Sequence, residues 1–424
     1  MWVQLEKGDK FGGRVKEGRW MGISDVIYMK QPPGYLISSN SSQVLWLLKS
    51  LYGLKQAGRR WYQRLVQIME ALGFKRSDVD QAMFYRRKGA TLIVVLVHVD
   101  DCMIAGTSIT LILRFKMEIA KFVTITGLGK LHWILGIEVK RILERRTIHL
   151  SQHLYINSML RRYGLQDLKP VSLPMETSIR LTSAQSPTTT QEITYMHNIP
   201  YQEAVGSLMY TSLGTHPDIT YAVQTISQFS KSPGQAHWEA VKQIFCYLKG
   251  TKDFWLLYGG ADQKDLKGYA DADGSMAEDR HTISGYAFLI HGGAVSWAAK
   301  RQEIVSLSTT ESEYVTVMHA SKEALWLRSL ITQLFNIKLK PTPPLFSDNQ
   351  SAIALTKDHQ YHLRTKHIDI RYHFIHWIIE NGSLHLIYCP TKDMLAYTLT
   401  KALPSPKVKH FAVELGLAFS VVLA

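Results

Sequence analysis

The sequence predicts a multi-domain α+β fold whose C-terminal part is a mixed sheet covered by helices. Three observations carry this. At about 100–200 residues per domain, 424 residues make two to four domains, and 46 % apolar content lets each bury a core. From Leu266 onward the periodicity alternates as strand, hairpin strands, long helix, strand, helix, helix, strand, helix. Residues 170–194 are rich in Pro, Ser and Thr, including Pro170, Pro174, Ser186-Pro187 and Thr188–Thr190, which marks a linker and the main domain boundary.

The elements follow in order. The first 25 residues mix Gly and charge without a period and remain unplaced. From Val44 to Leu72 apolar residues recur at helical spacing, interrupted by Tyr52-Gly53-Leu54 and Gly58. Leu92–Ala105 reads as two short apolar strands around Asp100-Asp101, a hairpin. Residues 151–163 form a helix that ends at Gly164, a C′ glycine. Tyr201–Lys249 is mostly helical. The expected segments are an unplaced 1–26, a domain over 27–169, a linker over 170–200, a connecting segment over 201–262, the mixed-sheet domain over 263–404 and a tail over 405–424.

Composition excludes several classes. The longest aliphatic run, Leu92–Val97, is far too short to span a membrane, and the N-terminus lacks an apolar signal segment. Three scattered cysteines (Cys102, Cys246, Cys389) form no C-x-x-C pair, so neither a disulfide framework nor a zinc knuckle is expected. A reducing intracellular setting is. The net charge of +14 lies entirely in residues 1–170, which carry 27 Lys and Arg against 13 Asp and Glu, whereas residues 171–424 are balanced. A basic half of this kind suits a polyanion, above all nucleic acid; a solubilising surface or affinity for anionic membranes explains it as well.

The segment Leu92–Gly106 reads LIVVLVHVDDCMIAG. Adjacent carboxylates at a hairpin tip repel, and a bound cation is one reason to tolerate them; turn geometry, which favours Asp, is the other. This hairpin resembles the Tyr-Val-Asp-Asp motif of copia-type retrotransposon reverse transcriptases, with His98 in place of Tyr. Ile27–Tyr35 (IYMKQPPGY), Ser50–Tyr62 (SLYGLKQAGRRWY) and Gly206–Val223 (GSLMYTSLGTHPDITYAV) resemble further blocks of that family, and the likeness runs from about Ile27 to Leu417. It implies a partial reverse-transcriptase palm and thumb followed by an RNase H-like domain.

Polymerase chemistry needs two divalent cations held by carboxylates from two places. By resemblance Asp100 and Asp101 are one pair. The family's other carboxylate lies upstream in a Leu-Asp-Val-x-x-Ala-Phe-Leu pattern, where this chain reads Phe11-Gly12-Gly13-Arg14-Val15. Neither Asp9 nor Asp25 has a matching context. The expectation is an inactive polymerase in a truncated or mis-spliced chain that lacks most of the fingers. Lys55, Arg59, Arg60 and Arg64 are candidate contacts to template or primer backbone, or a solvated helix face.

Residues 262–402 resemble the RNase H domain of the same elements, through GYADADGS (268–275), SGYAFLI (284–290), AVSWAAKRQ (294–302), LSTTESEY (307–314), SDNQSAIAL (347–355), RTKHIDIRYHFI (364–375), YCPTKD (388–393) and TKAL (400–403). The implied reaction hydrolyses the RNA strand of an RNA–DNA hybrid with two Mg²⁺ or Mn²⁺ ions per active site. Such ions need several Asp or Glu from separate elements. The resemblance maps one ligand to Asp271, with Asp273, two residues on along the same strand face, as its fallback. Ser308 with Glu311 fits a capping box, which gives Glu311 a structural role. Glu313 instead heads the apolar stripe Val317, Ala320, Ala324, Leu327, Ile331, Leu334, where a carboxylate is costly unless paired or metal-bound. Asp348 opens a helix at Asn349–Leu355 and is read as both cap and ligand.

One position departs from the family. Its Ala-Asp-x-x-Thr-Lys-Ala-Leu text stands here as Ala396-Tyr397-Thr398-Leu399-Thr400-Lys401-Ala402-Leu403, so Tyr397, a poor Mg²⁺ ligand, replaces the fourth carboxylate. On a helix, Asp393 would lie one turn away and could stand in. Arg364, Lys366 and Arg371 are candidate phosphate contacts or a solvated face, and His362, His367, His373 and His376 lack zinc-site spacing.

The sequence thus reads as a copia-type Pol fragment, without visible capsid, protease or integrase. Its ancestral partners are an RNA template, a DNA primer, deoxynucleotides and RNA–DNA hybrid, in the cytoplasm (within a virus-like particle) or the nucleus, with no membrane. Weak RNase H cleavage is the most this chain is expected to retain. A catalytically dead nucleic-acid-binding remnant and a non-functional decayed product remain the alternatives.

Overall fold

A computed structural model describes residues 2–5, 28–30, 44–47, 53–259, 265–273, 281–306, 308–336, 343–356 and 369–419. The chain divides into two units, 1–131 and 132–424.

In the first unit the strands are β1 (Trp2–Leu5), β2 (Tyr28–Lys30), β3 (Val44–Trp46), β4 (Lys75–Arg76), β5 (Met83–Lys88), β6 (Thr91–His98), β7 (Asp101–Gly106) and β8 (Ile125–Gly129). The helices are α1 (Ala57–Ala71) and α2 (Ile109–Ile119). An antiparallel sheet runs β4-β5-β6-β7-β1-β8. Strand alternation buries Ile93 and Val95 of β6 with Cys102 and Ile104 of β7. Helical spacing turns Leu65, Ile68 and Met69 of α1, and Ile112, Phe115 and Ile119 of α2, onto the same core. Two expectations are corrected. Residues 44–46 form a strand paired with β2 rather than the start of a helix; Val-Leu-Trp suits a strand once a partner is at hand, and Gly53, at φ +94°, breaks any helix before Ala57. Within the unplaced N-terminus, Trp2–Leu5 is the strand between β7 and β8; Phe11–Val15, Asp9 and Asp25 lie outside the described residues.

In the second unit the strands are β9 (Trp133–Ile134), β10 (Ile137–Ile142), β11 (Thr147–Ser151), β12 (Phe254–Gly259), β13 (Lys267–Asp273), β14 (Ile283–Ile290), β15 (Gly293–Arg301), β16 (Pro344–Ser347), β17 (His385–Tyr388) and β18 (Leu417–Phe419). The helices are α3 (His153–Arg162), α4 (Thr190–His197), α5 (Tyr201–Gly214), α6 (Thr220–Ser227), α7 (Gln235–Thr251), α8 (Thr309–Phe335), α9 (Gln350–Leu355), α10 (Asp369–Glu380) and α11 (Ser405–Glu414). One sheet runs β18-β12-β11-β10-β9 and the other β15-β14-β13-β16-β17. The second is the expected RNase H-like mixed sheet: β15, β14 and β13 are antiparallel, while β16 and β17 join parallel to β13 after the crossover that contains α8. Val317, Ala320, Ala324 and Leu327 of α8 pack on Ala270, Phe288 and Leu345, as their stripe predicts.

The Pro, Ser and Thr-rich stretch is not where the chain divides; that division falls between Leu131 and His132. The stretch straps over α7 instead. Met175 is buried, the Val171 N–H donates to Cys246 O at 3.4 Å, and Gln243 Nε2 donates to Leu173 O at 3.4 Å. Its composition forbids long regular elements, not contacts. The expected tail is likewise part of the fold. Val408, Phe411 and Leu417 share one core with Ile244, Phe245 and Leu248 of α7 and Trp297 of β15, and β18 pairs with β12. The connecting segment therefore shares a core with one face of the mixed sheet, while the other face packs on α8 in a core of its own. Phe245→Ala should cost about 3–5 kcal/mol. In denaturant titrations followed at Trp297 and by far-UV circular dichroism, both signals should shift together; a shift in only one would contradict the shared core.

Candidate metal centre

The site is built at the end of β13. Asp271 and Asp273, two apart on this strand, are both contacted from residues 400–401. Thr400 donates a short hydrogen bond to Asp271 Oδ2, and Lys401 Nζ lies 4.0 Å from that oxygen and 3.9 Å from Asp273 Oδ1.

Glu313 comes from the start of α8. Ser308 caps the helix as expected, accepting from the Glu311 N–H at 3.2 Å. A buried polar network fixes this end of the helix to the sheet. The Gln302 amide donates to Ser284 Oγ and to Ser312 O, both at 2.9 Å, and Thr316 Oγ1 donates to Ser284 Oγ at 2.7 Å. Glu313 is thereby held over β13, where it accepts from the Ala272 N–H.

Asp348 follows β16. The expectation that it also caps α9 is corrected: Asn349 is the cap, accepting from the Ala352 N–H at 2.9 Å. Asn serves there as well as Asp, which leaves the Asp348 carboxylate to the site, oriented by a 2.8 Å hydrogen bond from Thr391 Oγ1.

Asp271, Glu313 and Asp348 each offer an oxygen, and the three oxygens lie within 4.8 Å of one another. Among the described residues this is the only group of three or more His, Cys, Asp and Glu placed to share an ion. Asp271 is 2 % and Glu313 6 % exposed. Burial, then the Asp271 and Asp348 charges, push the Glu313 carboxyl up to about 9, against the Ala272 N–H and Lys401. Burial pushes Asp271 up to about 6, against Lys401 and Thr400. Glu313 Oε2 is buried without a hydrogen-bond partner. An orphaned carboxylate oxygen facing two other carboxylates is a costly arrangement that a divalent cation would satisfy, and the all-oxygen donor set suits a hard ion.

The pH dependence follows. Both folded-state values lie above those of the unfolded chain, so the folded metal-free protein binds more protons. This contribution to stability is complete below about pH 4 and is lost as pH rises, through about 6 for Asp271 and about 9 for Glu313. In chelator, the melting temperature of Glu313→Gln should fall less between pH 6 and 9 than that of wild type. Equal slopes would contradict the assignment.

The remaining candidates are placed as follows. Asp273 is buried beside Lys401 but outside the three-carboxylate group. Asp393 is exposed, and its expected stand-in role fails on geometry. Residues 391–393 and 395–399 are separate 3-10 turns broken at extended Met394 (ψ 98°), so no continuous helix aligns Asp393 with Tyr397. Arg364 and Lys366 lie outside the described residues, and Arg371 falls within α10.

In the first unit, Asp100 and Asp101 stand at the hairpin between β6 and β7, with His98 paired to Asp101. Val99 takes φ +55°, a left-handed conformation that is strained for a β-branched residue, and its carbonyl accepts from Trp61 Nε1 at 2.7 Å. Burial raises the Asp101 carboxyl, His98 opposes this, and Asp100 adds to it. The neighbouring strand β1 sets Gln4 opposite Asp101, and none of its four residues is a carboxylate. Lys55 and Arg59 are exposed, and Arg60 and Arg64 half-buried, in and just before α1.

Sequence reasoning missed Thr391, Thr400, Lys401 and Gln302. Each lies in a block already singled out (YCPTKD, TKAL, AVSWAAKRQ), and polar residues closing such blocks were the available signal.

Residues 20–177 match the family described as reverse transcriptase (RNA-dependent DNA polymerase). The chain is 40 % identical over 389 residues to the retrovirus-related Pol polyprotein from transposon TNT 1-94 of Nicotiana tabacum, covering 91 % of this chain and 29 % of that protein. It therefore spans under a third of that relative's length. It is 30 % identical over 303 residues to a transposon Ty5-1 protein of Saccharomyces cerevisiae, covering 71 % of this chain and 96 % of that one. A foamy viral protease-reverse transcriptase solved with ds DNA overlays with a TM-score of 0.44 at 12 % identity, covering 82 % of this chain and 51 % of that one. With a reverse transcriptase region followed by an RNase H-like sheet, this chain belongs to the copia-type retrotransposon Pol polyprotein family.

Proposed function

We propose that the surviving chemistry of this chain is weak, Mg²⁺- or Mn²⁺-dependent hydrolysis of the RNA strand in an RNA–DNA hybrid. The observation that carries it is the convergence of Asp271, Glu313 and Asp348 around the unpartnered Glu313 Oε2. These three residues would hold the ion. When bound, a divalent ion in such a site activates water and polarises a phosphoryl oxygen. The chain's own part is positioning. Thr400 orients Asp271, the Ala272 N–H and the Gln302 network orient Glu313, and Thr391 orients Asp348. Hybrid binding would rest on shape, 2′-hydroxyls and phosphates, with the basic N-terminal part adding affinity for polyanions.

The polymerase is inactive in this reading, because the chain reads Phe11-Gly12-Gly13-Arg14-Val15 where the family carries its upstream carboxylate. Template, primer and deoxynucleotides are then ancestral ligands. The chain would work inside the cell, in the cytoplasm or nucleus, the setting that its three unpaired-in-sequence cysteines suggest. A second reading, a hybrid-binding remnant without turnover, is favoured by one residue: Tyr397 at the family's fourth carboxylate.

The test is cleavage of a labelled RNA–DNA hybrid by the full chain with Mg²⁺ or Mn²⁺. Cleavage that chelator stops and Asp348→Asn removes supports the nuclease. Salt-sensitive binding without cleavage, by a protein that melts cooperatively, supports the remnant.

A further inference from the structure

The residues around Tyr397 show what occupies the space beside the missing fourth carboxylate. Tyr397 lies in the 3-10 turn at 395–399, and Lys401 extends back over its ring, Nζ 3.8 Å from the centroid. That separation is a close cation–π contact. The same ammonium is 4.0 Å from Asp271 Oδ2 and 3.9 Å from Asp273 Oδ1. Asp271 is the carboxylate this ammonium shares with the proposed metal centre. The Lys401 side chain is only about a quarter exposed, so the aromatic ring and two buried carboxylates hold the charge in place.

We propose that Lys401 is the resident cation of this site: its ammonium, clamped between Tyr397, Asp271 and Asp273, takes the position of a second divalent ion and leaves one exchangeable metal site. The inference rests on the metal-centre reading above. A carboxylate at position 397 would draw a divalent ion to that corner; the phenol instead offers a π face, which suits a monovalent organic cation. A second divalent ion at Asp271 Oδ2 would meet the ammonium as a like charge about 4 Å from the oxygen. The site therefore holds one metal and one fixed positive charge, and its divalent affinity is set partly by Lys401.

The test counts Mn²⁺ bound by the full chain, by titration against the free-ion paramagnetic resonance signal. The specific site is defined as binding lost in Asp348→Asn. Wild type should bind one specific Mn²⁺. Lys401→Met, which removes a like charge, should bind about tenfold tighter or gain a second ion. Lys401→Arg, which keeps the charge, should retain one ion and separate charge loss from misfolding. Tyr397→Asp with Lys401→Met should bind two. Unchanged stoichiometry and affinity in Lys401→Met, or weaker binding, overturns the inference while the site lost in Asp348→Asn still stands. A wild type with no Mn²⁺ site that Asp348→Asn removes overturns the metal-centre reading, and the inference with it.

Discussion

Glu313→Gln is expected to stabilise the metal-free chain and to abolish the proposed hybrid hydrolysis. The glutamate is buried, one of its oxygens has no partner, and two further carboxylates face it. A neutral amide can donate to those carboxylates. At pH 8 in chelator the substitution should stabilise the fold by roughly 1–3 kcal/mol, read from the denaturant midpoint. Hybrid cleavage should fall at least about 10³-fold, because a metal centre supplies several kcal/mol and each 1.4 kcal/mol is tenfold. Opposite signs in the two measurements are the signature of a carboxylate kept for function against the interest of the fold. A destabilised variant would instead make Glu313 a structural residue.

Gly285→Val is expected to damage the site from a distance. A Cβ at Gly285 would stand 2.7 Å from Thr400 Cγ2, 2.9 Å from Leu399 Cβ and 3.2 Å from Ala396 O. The 395–400 turn lies so close to β14 that only a residue without a side chain fits beneath it. Valine must push that turn outward and draw Thr400 and Lys401 away from Asp271. The cost to stability should be about 1–3 kcal/mol, typical of overpacking. Cleavage should fall further than stability predicts, by about 10²-fold, since a displacement near 1 Å at a catalytic group has that effect. Cleavage that tracks only the folded fraction would show that Thr400 does not orient Asp271.

Much of the three-carboxylate cluster was legible because its residues lie in or beside regular elements. Asp271 on a strand, Glu313 at the head of an apolar helical stripe and Asp348 after a strand each carry a periodic context, and capping logic separated Glu311 from Glu313. What closes the site was not legible. Thr391 lies in one short 3-10 turn, and Thr400 and Lys401 directly follow another, where no period tells which side chain turns inward. The same limit misled the reading of Asp393, since one extended residue, Met394, dissolves the assumed helix. The strap over α7 and the C-terminal strand were misjudged for another reason. Their contacts run through scattered single residues such as Met175 and Leu417, and composition averages those away.

The most direct measurement is manganese anomalous scattering from crystals of the full chain grown with Mn²⁺. The predicted result is a peak bounded by Asp271, Glu313 and Asp348, about 2.1 Å from an oxygen of each, with Lys401 Nζ still over the Tyr397 ring. A protein that crystallises with these three carboxylates in place and shows no peak between them would contradict the metal centre.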